Sequence, residues 1–315
     1  MTLLMLRKPS PKSMTLETHM RFASRTNHSG VHLEVYRTHD DKLVETMTCS
    51  GEDYQNRTLV SITNQIGCPV RCDFCKVSEL SLVRNITVAE YLQQVAGVVQ
   101  NINGVPWFNP AWPVKVSFGR AGEPLLNANT MEAVFALAEL YRNAFQLFSV
   151  MPGSPTTNKL LEAIMQFVST YENTFQLNVS MHTTDENKRR LIMPKGKLMS
   201  FEEIGRFGEL WHKANPKRKI DLSFILMEDV VVDFRAIRDI FDPRFFTIRL
   251  AYYLPSSAQT ALRHPSSDDS RLVQKAQEAR DLGYSCIEAR AGPIERIWDS
   301  RPYSGFRMLR DDYSL

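Results

Sequence analysis

The sequence predicts an α/β protein built on a parallel sheet, and two observations carry that prediction. From residue 58 onward, apolar runs of strand length take turns with longer runs of helical periodicity, six times in series. Helix punctuation falls where such an alternation needs it. Six strand-plus-helix units suit a barrel or partial barrel better than two separate domains, and 315 residues with 43% hydrophobic content can bury one large core.

Residues 1–28 are rich in Ser, Thr and Arg without periodicity and read as a leader or loose extension. Val31–Arg37 and Leu43–Thr48 alternate apolar and polar residues around His39-Asp40-Asp41, which predicts a β-hairpin ahead of the main domain. The six units follow: LVSIT then VAEYLQQVAGVV, VKVSF then MEAVFALAELY, FQLFSV then NKLLEAIMQFV, FQLNVSM then FEEIGRFGELWHK, IDLSFILM then FRAIRDIF, and FTIRLAYYL then RLVQKAQEARDL. Thr87-Val88-Ala89-Glu90 has the form of a capping box opening the first helix, while Asn215-Pro216 and Asp242-Pro243 stand where later helices should stop. The expected organisation is a leader and hairpin over 1–57, a core over 58–291 and a tail over 292–315.

Charge leaves the substrate open, because Lys plus Arg number 38 against 35 for Asp plus Glu, and this balance lends an RNA partner no support. No stretch approaches the roughly 20 apolar residues of a membrane helix. The opening MTLLMLRKPSPKS has too short an apolar run for a signal peptide, so the expected compartment is the cytoplasm, with no membrane partner.

Five cysteines are present, and three fall within eight residues, which suits a metal rather than a disulfide framework. Cys49 and Cys286 stand alone and read as small buried hydrophobes. Gly67-Cys68-Pro69-Val70-Arg71-Cys72-Asp73-Phe74-Cys75 follows the first predicted strand, at the edge where catalytic groups collect in parallel α/β architectures. Three thiolates can hold a cubane cluster and leave one iron free for a non-protein partner. A three-cysteine zinc site is the alternative, but structural zinc wants a fourth protein ligand and paired CxxC spacings.

The spacing CxxxCxxC, with Phe74 in the aromatic place before the last cysteine, resembles the signature of the radical S-adenosylmethionine (SAM) superfamily. The resemblance implies a partial (β/α)6 barrel, a [4Fe–4S] cluster on Cys68, Cys72 and Cys75, and SAM chelated to the free iron. Reductive cleavage of SAM then gives a 5′-deoxyadenosyl radical. Further landmarks, SITNQIGCPVRCDFC, RNITVAEYLQQV, VSFGRAGEPLLN and LNVSMHTTDENKRRLIMP, are similar to those of the radical SAM RNA-adenosine methyltransferases, the RlmN/Cfr group, over roughly residues 31–290. By that similarity Gly122-Glu123-Pro124 matches a motif whose glutamate takes the ammonium of SAM, a charge-assisted hydrogen bond. Read without the resemblance, the same segment is a helix-entry loop capped by Asn127, Asn129 or Thr130. Ser149, Ser180 and His182 match positions near the ribose and carboxylate of SAM.

The resemblance fails at the C-terminus, where the family carries a methyl-accepting cysteine. Gly292 to Ser300 here contains none, and Cys286 lies about a dozen residues earlier in an apparent strand, YSCIEARA. Tyr253-Leu254-Pro255 replaces the family's Trp-Asn-Pro, and residues 1–30 stand where the family has an RNA-binding domain. Lys188-Arg189-Arg190, Lys195 and Lys197, like Lys213 and Lys217-Arg218-Lys219, read as solvated surface. The expected activity is therefore SAM cleavage and hydrogen abstraction without the methyl-carrier step. The substrate is a nucleotide, small molecule or peptide, no residue is assigned to the step on it, and a flavodoxin- or ferredoxin-like electron donor is implied. Two alternatives stand beside it: an RNA methyltransferase of the RlmN/Cfr type, and a non-catalytic iron–sulfur or zinc scaffold.

Overall fold

The computed structural model describes residues 20–28, 31–51, 57–100, 109, 111–141, 143–171, 174–255 and 263–289. The leader up to residue 19 and the tail over 292–315 lie outside the described residues. The chain opens with an antiparallel meander of β1 (Met20–His28), β2 (Val31–Thr38) and β3 (Leu43–Gly51). The expected hairpin is β2–β3. Its turn forms because Thr38 Oγ1 accepts from the Lys42 N–H and donates to Asp40, and Asp41 takes the left-handed conformation such turns use. The leader reading is corrected at β1, which pairs along β2; an edge strand is ordered by its neighbour's backbone rather than by its own alternation.

Then come β4 (Arg57–Ile62), the short β5 (Gln65–Ile66) and β6 (Arg84–Asn85), and α1 (Val88–Val99), whose Thr87–Glu90 capping box is formed in full. The chain continues through β7 (Val114–Phe118), α2 (Thr130–Leu140), β8 (Asn143–Ser149), α3 (Pro155–Thr170) and β9 (Phe175–Ser180). Two helices, α4 (Glu186–Ile192) and α5 (Phe201–Ala214), precede β10 (Ile220–Leu226). The last elements are β11 (Phe246–Tyr252), α6 (Asp269–Asp281) and β12 (Ser285–Ala289). FRAIRDIF is no α-helix: it makes a 3-10 turn at Phe234–Ile237, since two helical turns ahead of Pro243 give too little length to offset nucleation.

One sheet runs β1-β2-β3-β4-β7-β8-β9-β10-β11-β12, parallel from β4 onward. Parallel neighbours follow sequence order, so right-handed crossovers set the helices on one face and curl the sheet around the other. The alternation within each strand expresses this division. Ile220, Leu222, Phe224 and Leu226 of β10 join the helix-side core, whereas Asp221 and Ser223 face inward beside Thr247 and Arg249 of β11. The meander is fastened to this body by a buried ion pair between Glu45 of β3 and Arg120, just past β7. Among the described residues no helix is long and apolar enough to cross a membrane.

Candidate cofactor and active site

The three cysteines lie in one loop, closed at its base by the pairing of β5 with β6. Gly67 starts the loop in the left-handed region, where an added Cβ would run into the Ser81 carbonyl group, so a glycine is required. Backbone bonds hold the loop on both sides: Cys68 N–H donates to Leu80 O (3.4 Å), and Asp73 N–H to Ile192 O at the end of α4 (3.0 Å). Cys75 N–H donates to Cys72 O (3.1 Å), turning the second and third thiols toward the same apolar cluster of Val70, Phe74, Val150, Ile192 and Tyr253. Burial pushes all three thiols up, Cys68 to about 12, and the charges of Cys75, Cys68, Glu123 and Asp73 push Cys72 in the same direction. Among the described residues no three His, Cys, Asp or Glu side chains are arranged around a single ion. A cubane does not ask for that, because its thiolates each reach a different iron. Three half-buried cysteines in one apolar-walled loop, with no fourth metal-ligating side chain grouped with them among the described residues, fit a cluster of that kind.

Glu123 follows β7 and is 4% exposed. Gly122 before it is left-handed and so close to Gln65 that a Cβ would clash; Gln65 in turn accepts from the Glu123 N–H (2.8 Å). The Glu123 carboxylate accepts from Ser149 Oγ (2.6 Å), Leu125 N–H (3.0 Å) and Val150 N–H (2.9 Å). Burial pushes its pKa up to about 7, while those donors pull it back. Pro124 starts the 3-10 turn Pro124–Leu126, which the Glu123 side chain caps. Asn127 instead donates to Asn64 O and Ile86 O, and Asn129 makes no side-chain cap on α2. The loop therefore serves to present Glu123 rather than to start α2.

His182, after β9, also adopts a left-handed conformation, and its ring meets Phe74 edge-on with centroids 4.8 Å apart. Its Nδ1 accepts from Ile225 N–H (3.2 Å), and burial, then the charge of Arg189, push its pKa down to about 3. Neutral with Nδ1 occupied, the ring carries its proton on Nε2. Ser180 is half-buried at the end of β9. Cys68, Cys72, Cys75, Phe74, Gly122, Glu123, Pro124, Ser149, Ser180 and His182 thus stand together around the C-terminal ends of β4, β7, β8 and β9.

No family model matches the chain. It is 30% identical over 194 residues to a probable dual-specificity RNA methyltransferase RlmN of Chlorobium phaeobacteroides, covering 61% of this chain and 51% of that protein. It is 26% identical over 299 residues to the dual-specificity RNA methyltransferase RlmN of an Anaeromyxobacter species, covering 92% and 75%. In structure, a radical SAM methyltransferase from Sphaerobacter thermophilus matches with a TM-score of 0.71 at 18% identity, over 88% of this chain and 79% of that one. The chain is thus similar in sequence to RlmN proteins and shares its fold with a solved radical SAM methyltransferase. It spans about half the length of the first of these relatives.

Three residues have contacts at this site that sequence reasoning did not foresee. Arg189, read as solvated surface, is 1% exposed and donates to Val150 O (2.7 Å) and Ser180 O (3.2 Å), tying together the strand ends that carry Ser149 and Ser180. His264 bridges Asp73 (3.1 Å) and Asp229 (2.9 Å), latching the segment before α6 to the cysteine loop. Tyr253, where the resemblance places a tryptophan, is buried and donates to Phe74 O (3.3 Å). Arg189 stands three residues before the buried Ile192 on α4, a helical spacing that could have marked it as inward-facing; nothing local marks His264. Cys286 lies on β12 and packs against the helix-side core, whereas Ala289 of the same strand packs with the cysteine cluster. Burial pushes the Cys286 thiol up to about 11. The 292–300 stretch lies outside the described residues.

Proposed function

We propose that this chain is a cytoplasmic radical SAM enzyme that modifies RNA by methyl transfer to an adenosine; its relatives are named RNA methyltransferases. The reading is carried by one observation: in a chain similar to RNA methyltransferases over most of its length, the cysteine loop, Glu123 and His182 gather at one barrel mouth. A [4Fe–4S] cluster on Cys68, Cys72 and Cys75, fed by a flavodoxin- or ferredoxin-like donor, would supply the electron that cleaves SAM. The remaining work belongs to the side chains. Glu123, held by Ser149 and two backbone N–H groups, takes the ammonium end of SAM, and Gly122 and Pro124 fix the turn that aims it. His182 offers its Nε2 proton to an oxygen of SAM, and Phe74 holds the imidazole ring in place. Ser180 presents a hydroxyl beside it, while the apolar wall of Val70, Val150 and Ile225 excludes water.

The direct test is anaerobic. The reconstituted protein with dithionite and SAM should form 5′-deoxyadenosine, and Cys72→Ala should not. With ribosomal or transfer RNA added, label from the SAM methyl group should enter adenosine. Absence of SAM cleavage with every RNA supplied would leave only a scaffold.

A second reading, hydrogen abstraction without a methyl-carrier cysteine, is favoured by the placement of Cys286 on the helix side of the sheet. Cys286→Ala separates the two. If it abolishes methyl transfer while SAM is still cleaved, and the cysteine of the native protein carries a methyl group by mass spectrometry, Cys286 is the carrier. An unmodified, dispensable Cys286 with SAM cleavage and no labelled RNA supports the second reading.

A further inference from the structure

Arg189 of α4 is a buried cation to which the fold supplies no paired anion. It is 1% exposed, and its guanidinium donates to backbone oxygens alone: Nη2 to Val150 O (2.7 Å) and Ser180 O (3.2 Å), and Nη1 to Met199 O (3.4 Å). Its Nε has no partner, and among the described residues no carboxylate comes within ion-pair distance of it. Glu186, one turn earlier on the same helix, is taken instead by Arg190 and by the Phe201 N–H. Three carbonyl groups do not call for a cation, since a neutral amide can donate to them, and a buried guanidinium without an anion is costly.

The cysteine loop is where negative charge gathers. Arg189 and Ile192 stand one turn apart on α4, and Ile192 O takes the N–H of Asp73, between Cys72 and Cys75. Val150 and Ile192 pack in one apolar cluster with the three half-buried cysteines, and the guanidinium lies against the back of that wall through its bond to Val150 O. The charge of Arg189 acts on Glu123 and His182, and those of Glu186, Cys72 and Glu123 act on it in turn. Burial pushes Arg189 down to about 10, which leaves it a cation at neutral pH. In the reading proposed above, Glu123 is committed to the ammonium of SAM and does not neutralise Arg189 in the loaded site. A [4Fe–4S] core held by three thiolates is anionic and becomes more so on accepting an electron, and an apolar wall screens a nearby cation weakly. Net charge is one of the levers that set the reduction potential of such a cluster.

We propose that Arg189 is the counter-cation of the cluster on Cys68, Cys72 and Cys75, and that its charge raises the potential at which that cluster takes one electron from its flavodoxin- or ferredoxin-like donor. This rests on the reading of the three cysteines as cluster ligands. The full chain, reconstituted anaerobically with iron and sulfide, is titrated with dithionite against a measured potential while the reduced cluster is counted by electron paramagnetic resonance, a readout that needs no turnover. At the wild-type midpoint, Arg189→Gln, which keeps an amide donor for the carbonyls, should show at least a tenfold lower ratio of reduced to oxidised cluster, a shift of about 59 mV to lower potential. Arg189→Lys, which keeps the charge and loses the planar fork, should stay within about threefold of the wild type. So should Lys197→Gln, which removes an exposed cation. If Arg189→Gln takes up no cluster, Arg189→Lys decides alone: an unmoved potential supports the charge, and a tenfold displacement makes Arg189 a carbonyl cap and nothing more. Equal potentials in Arg189→Gln and the wild type overturn the proposal, as does an equal displacement in Arg189→Lys or in Lys197→Gln. A wild type that assembles no cluster overturns the reading of the cysteines and the proposal with it, and is told apart by the absence of any signal before a variant is compared.

Discussion

Glu123 sets the chemistry at the scale of single residues. Its carboxyl is pushed up to about 7 by burial, so in the absence of SAM a fraction is protonated near neutrality. An ammonium binds the ionised form, hence SAM affinity should fall as pH drops through 7 and level off above it; equilibrium dialysis from pH 6 to 8.5 reads this directly. Glu123→Gln should lose at least tenfold in affinity and flatten that profile, while Ser149→Ala, which removes one donor to the carboxylate, should weaken binding and move the profile to higher pH. Arg189 supports the same mouth from behind. Arg189→Met leaves two buried strand-end carbonyls without their donor and should cost about 2–5 kcal/mol in urea unfolding. The cysteine triad was legible because its spacing is local. Arg189 and His264 were not, since their partners are brought to them by the fold: carbonyls of two other strands for one, carboxylates of two distant loops for the other.

At the scale of elements, the cysteine loop is only as firm as the pieces that close it. Arg84 of β6 binds Asp40 of the hairpin turn through Nε and Nη2 (2.9 and 2.8 Å) and Glu90 of α1 through Nη1 and Nη2 (2.8 Å each). It thus joins hairpin, loop base and first helix. The Arg84 hydrogen bonds hold the Asp40 carboxyl well below the usual carboxylate range. The sign follows: this stabilisation is complete above the ordinary aspartate value of 3.8 and is lost as pH falls below it. Arg84→Ala should cost about 1–2 kcal/mol at pH 7, discounted for the solvent that reaches Asp40, and less at pH 3, in parallel denaturation curves. In the apo protein it should also speed labelling of the three thiols. Elements with their own punctuation were readable in sequence, as the Thr87 capping box and the Asn215 stop illustrate. β1 and the FRAIRDIF turn were not, because one takes its order from pairing with β2 and the other is decided by packing of Phe234, Ile237 and Phe241 rather than by helical hydrogen bonds.

For the whole molecule, the count of strand-plus-helix units made the partial barrel foreseeable, but a unit count gives no information about which inward residues are polar. That division explains the architecture: the helix-side face supplies the apolar core, so the lumen is free to carry Asn178, Asp221, Ser223, Thr247 and Arg249, and chemistry can occupy the rims. The cysteine loop is held to the body by β6 on one side, by α4 through the bond from Asp73 to Ile192, by Tyr253 just past β11 through its bond to Phe74 O, and by the segment before α6 through His264. A ligand that organises this loop must therefore stabilise elements from both ends of the chain. A cluster bound by the native state and not by the unfolded chain adds RT ln(1 + [L]/Kd), about 4 kcal/mol when the cluster is present at a thousand times its Kd. For a chain of this size that corresponds to a rise of roughly 5–15 °C in Tm on anaerobic reconstitution. Cys72→Ala should lose most of the rise, and His264→Gln should reduce it while leaving all three thiols in place. A rise confined to the wild type would tie the loop to the body as described; the same rise in Cys72→Ala would mean that iron acts elsewhere on the protein.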